Sequence, residues 1–287
     1  MRLHPPGVAT IMGPMESPRE PRRHLPPASM WTTWPALRIL ALAVMLMAGN
    51  FLLQIIFYGM GGGLFLPVLV GSVGGVVVPL RLLASRTGLP LRDDFGLHVP
   101  AIPVVLAAAL MAVAALSPTS LLAQFSVRLH PPDAEWLNFM ADNMPQGPVE
   151  LALAFLAVVV AAPLAEELVF RGLVHRLASH LWGPWPAAVV SALVFGVVHG
   201  EPWYLFGLVG IGFVLAVVYE ATGSLVACWI THAVHNAISL SMMIWGDDGG
   251  AEVPALSLVD GLIAGGSLVL LVLLSAYLWQ NRPDRHA

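Results

Sequence analysis

Eight apolar runs separated by short polar stretches dominate this sequence and restrict what the chain can fold into. A helix that crosses a bilayer needs about 20 consecutive, mostly apolar residues, and most of the runs reach or approach that length. The runs cover residues 39–60, 64–83, 99–116, 149–170, 185–199, 203–218, 225–245 and 256–278. The pattern predicts an all-α fold, a polytopic transmembrane helix bundle of about eight spans.

Composition excludes the main alternatives to a membrane protein. Only 10% of the 287 residues are charged and 57% are hydrophobic, whereas a soluble domain carries about 25% charged residues. The chain therefore has too few charges to cover a soluble enzyme or to stay disordered. Its single cysteine, Cys228, excludes an internal disulfide scaffold. No basic patch suggests nucleic acid, so we expect membrane lipid and a peptide or protein substrate as partners.

The two ends of the chain differ in character. Residues 1–35 are rich in proline, contain Arg19, Arg22 and Arg23, and lack the apolar core of a secretory signal. They predict a disordered cytoplasmic tail, although several internal methionines leave the true start open. Residues 36–281 predict the transmembrane helical domain, with a candidate functional core at about 149–245.

The arginines indicate the orientation of the spans. They cluster before the first span and after the second, fourth and eighth, and short cytoplasmic loops carry an excess of basic residues. Eight spans with both termini cytoplasmic satisfy this pattern, with Arg128 as the exception. His175, Arg176 and His180 are then expected at the wet cytoplasmic end of the fourth span.

Ionisable residues interrupt the apolar runs at three places. A charge inside a span costs roughly 2.5–3.5 kcal/mol on insertion scales, so such residues need a function or a partner. Glu167 and Arg171 are four residues apart, which predicts an ion pair on one helix face. Glu166 lies about 100° round the helix without such a partner. The other two places contain the pairs Phe195 with His199 and His232 with Asn236, each four residues apart.

A break between two helical runs links the first two places. Residues 182–186 read Trp-Gly-Pro-Trp-Pro, which is a strong helix breaker. Glu166 and His199 are equidistant from the centre of this turn, so an antiparallel pair of helices would place them at the same depth. The depth of His232 is compatible with the same cavity.

These residue types suit hydrolysis by an activated water. A desolvated carboxylate is a better base for the proton of water, and imidazole and amide groups can donate to a developing oxyanion. No Ser or Cys nucleophile lies within a comparable cluster. The pattern favours direct attack by water over a covalent intermediate.

At these residues the sequence resembles the CPBP family, the CaaX-protease and bacteriocin-processing intramembrane proteases, also called Abi proteins. The family signature is EExxxR, then FxxxH, then HxxxN on successive membrane helices. All three occur here in order, from Glu166 to Arg171, from Phe195 to His199 and from His232 to Asn236. The resemblance covers roughly residues 149–245.

The resemblance implies roles for the motif residues. Glu166 would be the general base and His199 would position the water, while His232 and Asn236 would stabilise the oxyanion. Glu167 and Arg171 would hold the site together. Eukaryotic relatives remove the last three residues of prenylated CaaX proteins, and the abundance of the family in bacteria implies a bacterial plasma membrane.

The metal requirement is open at the level of sequence. Family members are often called metalloproteases, and Glu166, His199 and His232 would make a three-ligand site for a divalent metal such as zinc. The same groups would also hold a water without metal, and no HExxH motif is present.

Two other functions remain open for this sequence. A non-proteolytic relative would keep the fold as a membrane scaffold or bacteriocin-immunity protein. An ion-coupled transporter would use the buried acids and histidines as a relay, although no file of acids crosses the membrane.

Overall fold

In a computed structural model of the chain, residues 29–246 and 257–282 are described, and all regular structure among them is helical. The all-α prediction is confirmed. The helices of these residues are α1 (Met30–Thr33), α2 (Ala36–Gly59), α3 (Phe65–Thr87), α4 (Leu91–Phe95), α5 (Ile102–Leu129), α6 (Ala134–Asp142), α7 (Pro148–Trp182), α8 (Pro184–Val198), α9 (Leu205–Thr222), α10 (Leu225–Trp245) and α11 (Leu258–Gln280).

The described helices form a polytopic bundle, as the apolar runs predict. Seven of them are long and apolar enough to cross a membrane, namely α2, α3, α5, α7, α10, α11, and α9 with the short turn of 3₁₀ helix that precedes it. The run at 185–199 forms α8, which has 15 residues and so extends only about 22 Å at 1.5 Å per residue. About eight spans therefore resolve into seven full-length helices and one shorter helix.

The core lies around α5, which packs against α9, α10 and α11. Its inward face is lined by alanines, including Ala108, Ala112 and Ala115, which are fully buried. Small residues let helix backbones approach closely in lipid, where apolar side chains gain little by leaving the bilayer. Gly212 of α9 serves the same purpose against α8, since a Cβ there would lie 3.1 Å from the Cα of Ala192.

The 35-residue helix α7 carries the first motif. It ends at Trp182, and Gly183 breaks the chain with a φ of 87° before α8 begins at Pro184. The predicted break at 182–186 is thus confirmed. Two segments of α7, Leu156–Ala161 and Phe170–His175, are wound as π-helix, and such bulges occur frequently at functional sites. Glu166 and Glu167 lie on the α-helical turns between them.

The ordered part of the chain begins before residue 36, which corrects the predicted boundary of the tail. Ser29 caps α1, its hydroxyl donates to Asp94 at 2.6 Å, and the Met30 amide donates to the same carboxylate at 2.9 Å. Met30 is completely buried. Residues 29–34 are therefore packed because Asp94 satisfies their polar groups, while the rest of the predicted tail, residues 1–28, lies outside the described residues.

Candidate active site

The first motif folds into a buried ion pair. Glu167 and Arg171 are both 0% exposed, and Arg171 Nη1 donates to Glu167 Oε1 at 2.9 Å. Arg171 Nη2 donates to the carbonyl oxygen of Gly212 on α9 at 2.7 Å. The predicted i,i+4 pair is confirmed, and it also fastens α7 to α9. Because the pair is neutral as a unit, the bundle can bury both charges.

His232 brings the third motif to the first. Its Nδ1 lies 2.8 Å from Glu167 Oε1, and its Nε2 lies 3.6 Å from Glu166 Oε2. An ionised carboxylate only accepts hydrogen bonds, so Nδ1 carries a proton that it donates to Glu167. This bond fixes the ring so that Nε2 faces Glu166. We call Glu166, Glu167, Arg171 and His232 the central cluster.

The two carboxylates of the central cluster differ in exposure. The side chain of Glu166 is 22% exposed and that of Glu167 is 0% exposed. Glu167 is already engaged by Arg171 and His232, whereas Glu166 is 3.6 Å from its partner, which is too long for a hydrogen bond. Glu166 is therefore the carboxylate that water can reach, and Glu167 is the one that orders its neighbours.

Phe195 connects the second motif to the other two. Its ring is 4.9 Å from the Arg171 guanidinium carbon, 5.7 Å from the His232 ring and 4.6 Å from the His199 ring. Phe195 itself is 1% exposed. The three motifs, which are far apart in the sequence, therefore meet around one aromatic side chain.

The backbone fixes the tautomer of His199. Its Nδ1 lies 2.7 Å from the carbonyl oxygen of Phe195, which can only accept, so Nδ1 carries the proton. In the neutral ring, Nε2 is then the acceptor. A histidine held in this way can accept a hydrogen bond from a water molecule, as the role of His199 requires.

Asn236 contacts α7 rather than the central cluster. Its side-chain amide donates to the carbonyl oxygen of Val158 at 3.0 Å, which uses one of the two N–H groups of the amide. The other N–H group is available to a substrate oxygen. Asn236 is half-buried and lies one turn beyond His232 on the same face of α10.

The structure does not bring Glu166 and His199 into direct contact. Among the described residues, no hydrogen bond or ion pair joins them, and the carboxylate faces His232 instead. Their predicted equal depth in the antiparallel helices stays a prediction. The link between these two residues runs through His232 and the ring of Phe195.

The expected three-ligand metal set is likewise not gathered. Within residues 29–246 and 257–282, no group of three or more His, Cys, Asp and Glu side chains is arranged to hold a metal ion. Of the three candidates, Glu166 and His232 face each other at 3.6 Å, while His199 contacts the ring and the carbonyl oxygen of Phe195. The residues therefore do not fit the three-ligand site.

Glu201 is an acid near the site that sequence reasoning did not assign. It follows His199 by two residues and is half-buried. Burial raises the pKa of the Glu201 carboxyl from its ordinary value of 4.5, and the charge of nearby His199 opposes that rise. The sequence does contain an indication of this position, because Glu201 is an acid two residues after the motif histidine in a chain with few charges.

A second buried polar group lies near the ends of α9 and α11. His175 is 0% exposed and its Nε2 is 3.0 Å from Glu220 Oε1, so its expected place at a wet helix end is wrong. The Ser179 hydroxyl donates to the same oxygen at 3.2 Å, and Arg282 Nη2 is 3.7 Å from Glu220 Oε2. We call these four residues the terminal cluster. The sequence does not indicate Glu220 as a site residue, because no recognisable motif lies near it in the chain.

A cavity of about 720 Å³ lies between α5, α8, α9 and α11, away from the central cluster. Its walls are apolar apart from the hydroxyls of Thr119 and Ser275, which donate to carbonyls of their own helices. None of the residues that line it belongs to the three motifs. The chemistry of the motifs is therefore separate from this space.

Comparison with known proteins supports the reading of the motifs. Residues 148–238 match the family model described as type II CAAX prenyl endopeptidase Rce1-like. An uncharacterized protein of Mycoplasma capricolum subsp. capricolum is 30% identical over 105 residues, which is 33% of this chain and 29% of that protein. The chain thus spans less than a third of the length of that relative. No solved structure matches the chain.

The matched residues include all three motifs and every member of the central cluster. Together with the seven apolar helices, the family match indicates a multi-pass membrane protein. Residues 148–238 are similar to the Rce1-like family, which is consistent with the resemblance to the CPBP family of intramembrane proteases that the three motifs indicate.

Proposed function

We propose that this protein is an intramembrane endopeptidase that hydrolyses peptide bonds of membrane-associated substrates with a water activated by Glu166. The observation that carries the proposal is the asymmetry of the central cluster. Glu167 is fully buried and bound by Arg171 and His232, while Glu166 is 22% exposed and lies 3.6 Å from His232 Nε2, beyond hydrogen-bond distance. Glu167 therefore has a structural role, and Glu166 is available as a base.

The proposed reaction begins with proton transfer. Glu166 takes a proton from a water that His199 holds through Nε2, and the resulting hydroxide attacks the carbonyl carbon of the substrate. The carbon–nitrogen bond then breaks, and Glu166 returns the proton to the leaving amine. Water is consumed and no covalent enzyme intermediate forms.

The negative oxygen of the intermediate needs donors, and α10 supplies two. His232 donates from Nε2 in its protonated form, which the Glu167 carboxylate stabilises from the other side of the ring. Asn236 donates the N–H group that Val158 does not use. Removing one donor of this kind costs about 10²–10³ in kcat.

A divalent metal such as zinc is not needed in this mechanism. Among the described residues the candidate ligands do not form a three-ligand site. Every step of the proposed reaction uses protein side chains and water. Addition of a chelator to an active preparation tests the alternative. Cleavage that persists supports the metal-free mechanism, and loss that zinc restores supports a metal site.

The substrate follows from the family match as a proposal. The matched family is described by prenyl endopeptidase activity, so prenylated CAAX-type chains are the first substrates to test, alongside other membrane-associated peptides. We further propose a bacterial plasma membrane as the location, with both termini in the cytoplasm. Membrane lipid is then the protein's other partner.

The variant Glu166→Gln tests the function because it keeps the shape of the side chain and removes the base. We expect kcat to fall by about 10²–10⁴, measured on purified protein in detergent with a peptide library. Glu150→Gln is the matched control, because Glu150 lies on the same helix, is exposed and accepts from the Gln146 amide. Equal cleavage by wild-type and Glu166→Gln protein would refute the mechanism.

A comparison of membrane proteomes identifies the natural substrate. Cells with Glu166→Gln are expected to accumulate uncut forms that cells with Glu150→Gln do not. No difference between the two, with both proteins present at equal levels, would support a scaffold or immunity function instead.

A further inference from the structure

Pro163 leaves a carbonyl of α7 without a partner in its own helix. In the π-helical segment Leu156–Ala161, the Ala162 amide donates to the carbonyl of Ala157. The next carbonyl, that of Val158, would take its hydrogen bond from residue 163 in the same π pattern, and proline has no N–H group. The Asn236 side chain donates to this oxygen at 3.0 Å. A side chain of α10 thus replaces the missing backbone donor.

A second side chain of α10 holds the same segment. The indole N–H of Trp229 donates to the carbonyl oxygen of Val160 at 3.1 Å. Val160 is 39% exposed at the surface of a membrane-spanning helix, and the bond from Trp229 is a contact between α10 and the backbone of this segment. Trp229, His232 and Asn236 are three and four residues apart, so they share one face of α10.

The held segment determines where Glu166 points. Glu166 follows Pro163 by three residues, and each residue of a helix turns the side chain by about 100°. A π-bulge is an insertion of one residue, so its loss would rotate Glu166 by about that angle relative to the first part of α7. The base then no longer faces His232.

We propose that Trp229 is a positioning residue that fixes the rotation of Glu166 by holding the π-helical segment of α7. This inference rests on the proposed function of Glu166 as the base. Trp229 has no recorded contact with the central cluster and acts through the backbone of α7.

The first test is Trp229→Phe, which keeps an aromatic ring and removes the N–H group. We expect kcat to fall about tenfold while KM changes less than about twofold, since the binding surface stays and the base turns away. Trp245→Phe is the matched control, because Trp245 lies on the same helix and its indole donates no hydrogen bond to the described residues. Equal kcat values for the two variants would overturn the inference.

A labelling experiment separates this inference from the proposed function. In Glu166→Cys protein the introduced thiol takes the exposed position of the base, and native Cys228 is fully buried and therefore silent. We expect a small water-soluble thiol reagent to label residue 166 several times more slowly once Trp229→Phe is added, and at an unchanged rate with Trp245→Phe. Unchanged labelling with Trp229→Phe overturns the positioning role, whether or not the protein cleaves peptides.

The two failures are distinguishable. A wild-type protein without peptidase activity refutes the proposed function, and the labelling rates still decide the role of Trp229. If Trp229→Phe does not fold, benzothienylalanine at position 229 keeps the size of the indole and replaces only the N–H group with sulfur. The same expected and contrary outcomes then apply.

Discussion

The central and terminal clusters use the same kinds of side chain with different outcomes. Each contains a buried acid, a histidine and an arginine, and each joins α7 to other helices. In the terminal cluster the single acid, Glu220, accepts from His175 and Ser179 and pairs with Arg282. The central cluster contains a second acid. Glu167 is hydrogen-bonded to Arg171 and His232, whereas Glu166 lies beyond hydrogen-bond distance of His232.

The difference shows what turns a buried polar cluster into a candidate active site. Burial and pairing occur in both places and explain only how charges are tolerated in a membrane. The central cluster adds a second carboxylate, that of Glu166, which is partly exposed and faces an imidazole 3.6 Å away, beyond hydrogen-bond distance. We therefore expect reactivity at a buried polar cluster that contains one more acid than its ion pairs and hydrogen bonds need.

The largest effect on folding is expected from Arg171→Met. Glu167 would then be a buried carboxylate without its cation, and breaking a buried pair in this way costs about 3–5 kcal/mol. Cleavage should be lost as well, since Glu167 would no longer hold His232 as it does now. Denaturant unfolding in detergent and a peptide assay measure the two effects.

The double variant Glu167→Gln with Arg171→Met is the control for that prediction. It removes both charges together and should recover part of the lost stability but not the activity, because His232 loses its carboxylate partner. A single variant as stable as wild type would show that the buried pair contributes nothing to folding.

Glu220→Gln is expected to have a smaller effect and to separate the two clusters. Glutamine can still accept from His175 through its oxygen, so the loss is that of a charged hydrogen bond, about 1.5–3 kcal/mol. The value of kcat should stay within about twofold of wild type. A loss of activity as large as that of Arg171→Met would show that the clusters act as one unit.

The sequence predicts the central cluster better than the terminal one, and the reason is physical. The pair Glu167 and Arg171 is local, with its spacing set by one helix, so the contact can be predicted without a fold. His175 and Glu220 meet only because α7 and α9 pack together. No local signal distinguishes His175 from its neighbour His180, which is exposed.

Irregular helix geometry accounts for most of what the sequence did not predict. Pro163 is visible in the sequence, but whether a proline kinks, ends or widens a helix depends on the partners of the freed carbonyls. Asn236, the partner of the Val158 carbonyl, lies 78 residues away in the sequence.

Arg282→Gln should change stability less than Glu220→Gln. The Arg282 side chain is 23% exposed and its Nη2 lies 3.7 Å from the carboxylate of Glu220, and pairs of this kind are worth about 0–1 kcal/mol. The same unfolding assay measures the change, and added salt should reduce it further. A cost equal to that of Glu220→Gln would mean that Arg282, rather than His175, holds the terminal cluster together.

The smallest effect is expected from Glu201→Gln, and it should depend on pH. Burial raises the pKa of the Glu201 carboxyl above its ordinary value of 4.5, so the folded protein binds more protons at this group than the unfolded chain does. Stability then falls as the pH rises from about the ordinary pKa through the raised one. Glu201→Gln removes that loss, so its melting temperature should gain on that of wild type as the pH rises across the range above the ordinary pKa of the carboxyl. A constant difference across this range would mean that Glu201 is solvated like any surface acid, and that only the acids of the two clusters experience the low dielectric of the bundle.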